Sequence, residues 1–263
     1  MEPHLVALDV DGTILTHDGR LPTATRDAVR AVADAGHHVV ISTGRSVVAT
    51  TPVLEMLGLT HGWAVCSNGA VTVRLDPSES KGYAIEETVT FDPKPAMTLI
   101  REHAPHILCA VEEVGVGFKV ARAYPDGVLQ GEQVVVPWDE LVARPTTRVT
   151  FHDPNGDSED FLRLVERIGL HGVEYAVGYT AWLDLAPEGV SKGSALELVR
   201  RRIHVEPDRT FAAGDQRNDL EMLRWAARGV AMGDAPPEVV AAADETTGSV
   251  EEDGLAAALS PLL

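Results

Sequence analysis

Leu5-Val6-Ala7-Leu8-Asp9-Val10-Asp11-Gly12-Thr13 is the stretch on which the reading of this chain turns. Its first four residues are an apolar run of the length of a buried strand. Gly12 then permits a sharp turn, so Asp9 and Asp11 project at the mouth of a sheet and not into its core. Two acids held that close repel each other unless a cation neutralises them, and the pattern therefore calls for a divalent metal.

Working outward, strand-like and helix-like segments alternate. Thr23 to Ala35 places Ala28, Val29, Val32 and Ala35 on one helical face and stops at Gly36. His38-Val39-Val40-Ile41 is a second buried strand. Ser46 to Leu57 reads as a helix that Pro52 bends or restarts, and Trp63-Ala64-Val65-Cys66 is a third strand. This β-α-β-α-β order predicts a parallel sheet with helices on both faces. The same grammar returns after Ser191. A helix from Ser191 to Ile203 is followed by a strand at Thr210-Phe211-Ala212-Ala213, a helix capped by Asn218 and reaching about Ala227, and a strand at Gly229-Val230-Ala231-Met232. Short helices at Pro236 to Ala242 and Val250 to Leu259 close the chain.

The middle differs in texture. Short apolar runs at Ile107 to Val111, Arg148 to Phe151 and Val173 to Val177 are separated by Pro, Gly and Asp clusters, with one clear helix from Ser158 to Ile168. The fold class is therefore α/β, a Rossmann-like doubly wound core formed by 1–82 and 187–263, with an α+β insertion at 83–186.

Lys and Arg number 22 against 40 Asp and Glu, a net charge of −18. That argues against nucleic acid and anionic lipid as partners, since both demand a basic face. A small phosphorylated substrate stays possible, because a bound metal reverses the sign locally. There is no run of membrane-span length, and the first residues lack the pattern of an export signal. Cys66 sits in an apolar strand as a buried free thiol, so a cytoplasmic location is expected.

Four stretches share one place in this fold, the carboxyl ends of core strands. They are Asp9 with Asp11, Ser42-Thr43-Gly44-Arg45, Ser191-Lys192-Gly193, and Gly214-Asp215-Gln216-Arg217-Asn218-Asp219. Each alone has an ordinary explanation as a cap, turn or solvated charge; their order and spacing together do not. The chain resembles the haloacid dehalogenase superfamily of phosphatases, in its Cof-type branch, whose large cap domain is inserted between the second and third core motifs. Cys66-Ser67-Asn68-Gly69-Ala70, Ala231-Met232-Gly233-Asp234-Ala235 and Glu252-Asp253-Gly254-Leu255-Ala256 extend the resemblance over nearly the whole length.

The resemblance implies a phosphatase acting on a small phosphorylated metabolite. Asp9 is then the nucleophile, forming an aspartyl-phosphate, and Asp11 the acid and base. Mg2+ is implied between Asp9, the main-chain carbonyl of Asp11 and Asp215, with Asp219 completing or bracing the shell. Thr43 and Lys192 are implied as donors to the phosphoryl oxygens, as are N–H groups near Gly12 and Gly44. Arg45, Asn68 and Asn218 are further phosphate-binding or positioning candidates. An acid at Asp11 favours phosphatases or phosphomutases over the transport ATPases of the superfamily, which usually carry threonine there. A phosphomutase and a non-catalytic phosphosugar-binding protein are the alternatives. The chain departs from the family at Gln216, often serine, and at Asp234, often asparagine.

The remaining signals are structural. His103 and His106 are separated by Pro105, Gly115-Val116-Gly117 reads as a hairpin turn, and the four tryptophans are core or interface packing.

Overall fold

The apolar runs become strands wherever a turn residue frees the chain to leave the sheet. The computed structural model describes residues 2–170, 172–177 and 182–263. It opens with β1 (Leu5–Leu8), α1 (Thr23–Asp34), β2 (His38–Ser42), α2 (Val47–Leu57), β3 (Gly62–Cys66), β4 (Val71–Leu75) and β5 (Tyr83–Thr88). Next come α3 (Lys94–His103), β6 (Leu108–Glu113), β7 (Gly117–Val120), β8 (Glu132–Val135), α4 (Trp138–Leu141), β9 (Val149–His152), α5 (Ser158–Ile168), β10 (Val173–Val177) and β11 (Trp182–Pro187). The chain ends through α6 (Lys192–Arg202), β12 (Thr210–Gly214), α7 (Leu220–Trp225), β13 (Arg228–Ala231), α8 (Pro237–Val240), β14 (Glu245–Thr246) and α9 (Gly254–Leu259).

Two units result. The first comprises Met1–Arg45, Thr50–Glu87 and Ser191–Leu263; the second comprises Ser46–Ala49 and Thr88–Val190. The first contains a sheet ordered β14-β13-β12-β1-β2-β3-β4-β5. From β14 to β3 every neighbouring pair is parallel, and β4 turns back antiparallel on β3. β1 lies between β2 and β12, with Leu8 opposite both Ile41 and Ala213. The strand order reverses at β1, so the loops leaving β1 and β12 diverge and open a crevice at their carboxyl ends. Leu5, Ala7, Val40, Val65 and Ala212 pack under Ala195, Leu196 and Val199 of α6 and Met222 and Leu223 of α7. That apolar contact holds the start of α6 against the ends of the central strands.

The first sheet runs further along the chain than the composition shift suggested. β5 pairs at its edge, although the expected boundary fell after residue 82. The hairpin closes through Asp76 N to Gly82 O at 2.9 Å, and Arg74 reaches Glu86 across it at 2.9 Å. At the other junction Pro187 belongs to β11 and pairs with Val173, so the expected boundary before 187 falls inside that strand. Two smaller expectations are also corrected. α2 runs through Pro52 as one helix and does not restart there. Asn218 does not cap α7: Gln216 and Asp219 cap the 3-10 turn that precedes it, and extended backbone at Ala226 ends the helix before Ala227.

The second unit is α+β. Its sheet, ordered β10-β11-β9-β6-β7-β8, is antiparallel except for β7 with β8. One face carries Cys109, Val111, Val149, Phe151, Leu183 and Leu185 against Met97 and Ile100 of α3 and Phe161 and Leu164 of α5. Other residues of the sheet carry Arg148, buried between Glu112 at 3.8 Å and Asp184 at 3.7 Å, with Thr150 donating to Asp184 at 2.6 Å. Among the described residues, no helix is long and apolar enough to cross a membrane.

Candidate active site

The parallel register brings Asp9, one residue past β1, level with the end of β12, where Asp9 N donates to Ala213 O at 3.1 Å. Asp215 follows β12 immediately. Asp219 is returned to the same spot by the 3-10 turn, its Oδ2 accepting from Asp215 N at 3.0 Å and Gln216 N at 2.9 Å. Carboxylate oxygens of Asp9, Asp215 and Asp219 lie within 4.8 Å of one another, and all three residues are buried.

Lys192 enters from the first turn of α6, whose N-terminus is set by Ser191 and Ser194 in a reciprocal cap. Its Nζ, fully buried, donates to Asp9 Oδ1 and Asp219 Oδ1, each at 2.6 Å. Burial alone would pull this ammonium down, but the Asp219 and Asp9 carboxylates push it above its ordinary value. Burial pushes the Asp9 carboxyl well up, Asp219, Asp215 and Asp11 push it further, and Lys192 opposes them. Three buried carboxylates against one ammonium leave the cluster short of positive charge.

That imbalance, in a donor set made of oxygens alone, fits a hard divalent cation. Asp219 already accepts from Lys192 and two main-chain N–H groups, which suits it to bracing. Asp9 and Asp215 are then the side chains that would hold the ion. Gly12 (φ +82°) lies directly against Asp215: a Cβ there would stand 2.3 Å from Asp215 Oδ2.

Asp11 is half exposed and its carboxylate is not part of the buried cluster. It forms a fork with Arg45, whose Nε donates to Asp11 Oδ2 at 2.8 Å. Thr43 is buried, and its hydroxyl accepts from Arg45 N at 3.1 Å. The loops after β2 and β3 are stitched together: Ser67 N donates to Arg45 O at 2.8 Å and Asn68 N to Thr43 O at 3.1 Å. Ser67 and Asn68 both adopt left-handed backbone (φ +50° and +54°) to make that turn. Asn218 Nδ2 donates to Asn68 Oδ1 at 2.9 Å, tying in the loop after β12, and Gly44 faces both amides.

The predicted residues thus form two linked groups. Asp9, Gly12, Lys192, Asp215 and Asp219 make the buried charged cluster. Thr43, Gly44, Arg45, Asn68 and Asn218 make a rim of donors, with Asp11 joined to it through Arg45. Two residues carrying contacts here had no predicted role. Thr13 Oγ1 donates to Asp215 Oδ1 at 3.2 Å, and Gln216 Nε2 donates to Asp215 Oδ2 at 3.1 Å. Thr13 closes the opening motif and was legible there; Gln216 was noticed only as a departure, and it proves to orient a carboxylate.

A model of a family described as haloacid dehalogenase-like hydrolase matches residues 6–259. YkrA of Bacillus subtilis (strain 168), provisionally named a phosphatase, is 28% identical, the match covering 100% of this chain and 98% of that protein. YitU of the same organism, named 5-amino-6-(5-phospho-D-ribitylamino)uracil phosphatase, is 26% identical over 97% of this chain and 96% of its own length. Among solved structures, BT1666 of Bacteroides thetaiotaomicron, described among phosphatases of the haloalkanoate (HAD) enzyme superfamily, superposes with a TM-score of 0.79. It is 26% identical, with 99% of this chain and 95% of that one covered.

Proposed function

We infer, since this chain belongs to the haloacid dehalogenase-like hydrolase family and is a phosphoric monoester hydrolase, that Asp9 takes the phosphoryl group of a small phosphorylated metabolite onto its own carboxylate. The observation carrying this reading is the buried contact of Asp9 with Lys192 beside Asp215 and Asp219. A nucleophile gains from being held in one rotamer, and the Lys192 bond does that for Asp9.

In the first step an Asp9 oxygen bonds to phosphorus as the ester P–O bond breaks. Asp11 hands a proton to the departing alkoxide, giving the free alcohol. In the second, Asp11 takes a proton from water, whose oxygen bonds to phosphorus while the Asp9–phosphorus bond breaks. Inorganic phosphate leaves, and both aspartates return to their starting state. Arg45 reaches Asp11 through the fork between them and must release one carboxylate oxygen for Asp11 to carry the proton it donates. The Lys192 ammonium, the Thr43 hydroxyl, the main-chain N–H groups near Gly12 and Gly44, and the Asn68 and Asn218 amides are the donors assigned to the phosphoryl oxygens.

Asp9 and Asp215, with the main-chain carbonyl of Asp11 and Asp219 as brace, would hold Mg2+, which when bound neutralises the repulsion between an anionic carboxylate and an anionic phosphoryl group. The phosphorylated sugar alcohol in the name of YitU supports a small metabolite as substrate. The net charge of −18 supports a partner other than nucleic acid. Two buried cysteines that form no disulfide among the described residues support a cytoplasmic setting.

Asp9→Asn tests the assignment, because it keeps the shape of the side chain and removes its nucleophilic oxygen. The variant is expected to retain the wild-type circular dichroism spectrum and to lose Mg2+-dependent release of phosphate from p-nitrophenyl phosphate. Wild-type turnover by Asp9→Asn would overturn it.

A further inference from the structure

The second unit contains a cavity of about 430 Å³ lined by none of the residues assigned above. That volume falls in the range of small-molecule sites. Pro105, Ile107, Ala121 and Pro137 give its open apolar surface, backed by the buried side chains of Met97, Ile100 and Phe151, and Cys109 is among its lining residues. Arg101 and Arg122 stand exposed at its rim, and no carboxylate lines it. A cavity whose only charged lining residues are cations is unexpected by chance in a chain with 40 acidic and 22 basic residues.

Both guanidiniums are set in place by contacts that leave their charge uncompensated. Arg101 stacks over the Trp138 ring at 4.3 Å and meets no carboxylate among the described residues. Arg122 Nη2 donates to the main-chain carbonyl of His106 at 2.7 Å and, more weakly, of Ile107 at 3.3 Å. Carbonyl acceptors orient the planar fork without neutralising it. Burial pushes the Cys109 thiol up, and Arg122 and Arg101 both pull it back, so the two cations act on the interior of the cavity.

We propose that this cavity binds a small amphipathic monoanion, an aromatic or branched-chain carboxylate, with its apolar body against Ile107, Ala121 and Pro137 and its carboxylate between Arg101 and Arg122. An apolar wall selects the body of such a ligand, and a paired guanidinium rim selects its charged end. The proposal is independent of the phosphatase chemistry.

The test uses the full-length protein, 4-phenylbutyrate as probe, and 4-phenylbutanol as its neutral counterpart, with binding read by calorimetry. Protection of Cys109 from N-ethylmaleimide, read by peptide mass spectrometry with Cys66 as the internal reference, locates the ligand. Expected are saturable binding of the carboxylate, binding of the alcohol weaker by ~10-fold, and slower alkylation of Cys109 with Cys66 unchanged. Arg101→Gln should weaken the carboxylate by a similar factor, and Arg101→Lys, which keeps the charge, should restore part of the loss. Unchanged circular dichroism spectra establish that both variants fold. Equal binding of acid and alcohol, wild-type affinity in both Arg101→Gln and Arg122→Gln, or no protection of Cys109 would each overturn the proposal.

Discussion

Asp215 Oδ2 occupies the space where a Cβ on Gly12 would lie, 2.3 Å from that position. The turn that carries Asp9 and the carboxylate that follows β12 therefore meet across a contact only glycine permits, at a φ of +82°. Gly12→Ala must push Asp215 away from Asp9 and strain the turn, at a cost of about 1–3 kcal/mol. The expected result is a folded variant with a lowered unfolding midpoint and turnover of p-nitrophenyl phosphate reduced ~100-fold or more. Wild-type kcat/KM in Gly12→Ala would show that the Asp9–Asp215 approach does not matter to the reaction.

Lys192 joins the Asp9 and Asp219 carboxylates, so it bears on stability as well as on the proposed nucleophile. Lys192→Met leaves the Asp9 and Asp219 carboxylates buried without their shared cation. Breaking a buried pair in this way costs about 3–5 kcal/mol. Urea unfolding in the presence of a chelator should show a loss of that order. The loss should shrink as pH falls, because protonation of the carboxylates removes the charge that Lys192 balanced. A loss independent of pH would mean that packing, not charge, accounts for it.

Gln216 is one of the two positions at which the chain departs from the family pattern, and its amide donates to Asp215 Oδ2 at 3.1 Å. Gln216→Ala removes that bond and keeps the main-chain N–H that Asp219 accepts. Mg2+ affinity, read as the ion concentration giving half-maximal activity, should weaken ~10-fold, with little change in kcat at saturating Mg2+. An unchanged Mg2+ dependence would assign Gln216 to surface structure alone.

The Cys109 thiol is pushed by burial from 9.0 up to about 11. A raised acid contributes stability that is present below its unfolded value and is lost as pH rises through the folded one. The advantage of the wild type over Cys109→Ala should therefore be constant at neutral pH and decline between pH 9 and about 11. Urea midpoints of the two proteins across that range measure it; an advantage that grew with pH would contradict the assignment.

Most of the first sheet was legible because its central strands are covered on both faces and read as unbroken apolar runs, as in Leu5–Leu8 and His38–Ser42. The edges were harder. β5 has no buried residue and β8 is mostly exposed, so neither reads as a buried apolar strand. α3 starts between Pro93 and Pro95, which mask a helix that buries Ala96, Met97 and Ile100 at helical spacing. At the site, the acids were legible as motifs, since each motif is local. Thr13 with Asp215, 202 residues apart, and Arg45 with Asp11, 34 apart, were not. Those contacts follow from strand order, which brings distant loops to one end of the sheet.

The most direct test of the two-step account is a rapid acid quench of the wild-type protein mixed with Mg2+ and p-nitrophenyl phosphate, followed by mapping of the phosphorylated peptide. The account predicts a transient phosphoryl group on the peptide containing Asp9, formed in step with p-nitrophenolate release, absent from Asp9→Asn and long-lived in Asp11→Asn. Phosphate released by the wild type with no phosphoryl group on Asp9 at any time, or a phosphoryl group found on another residue, would contradict it.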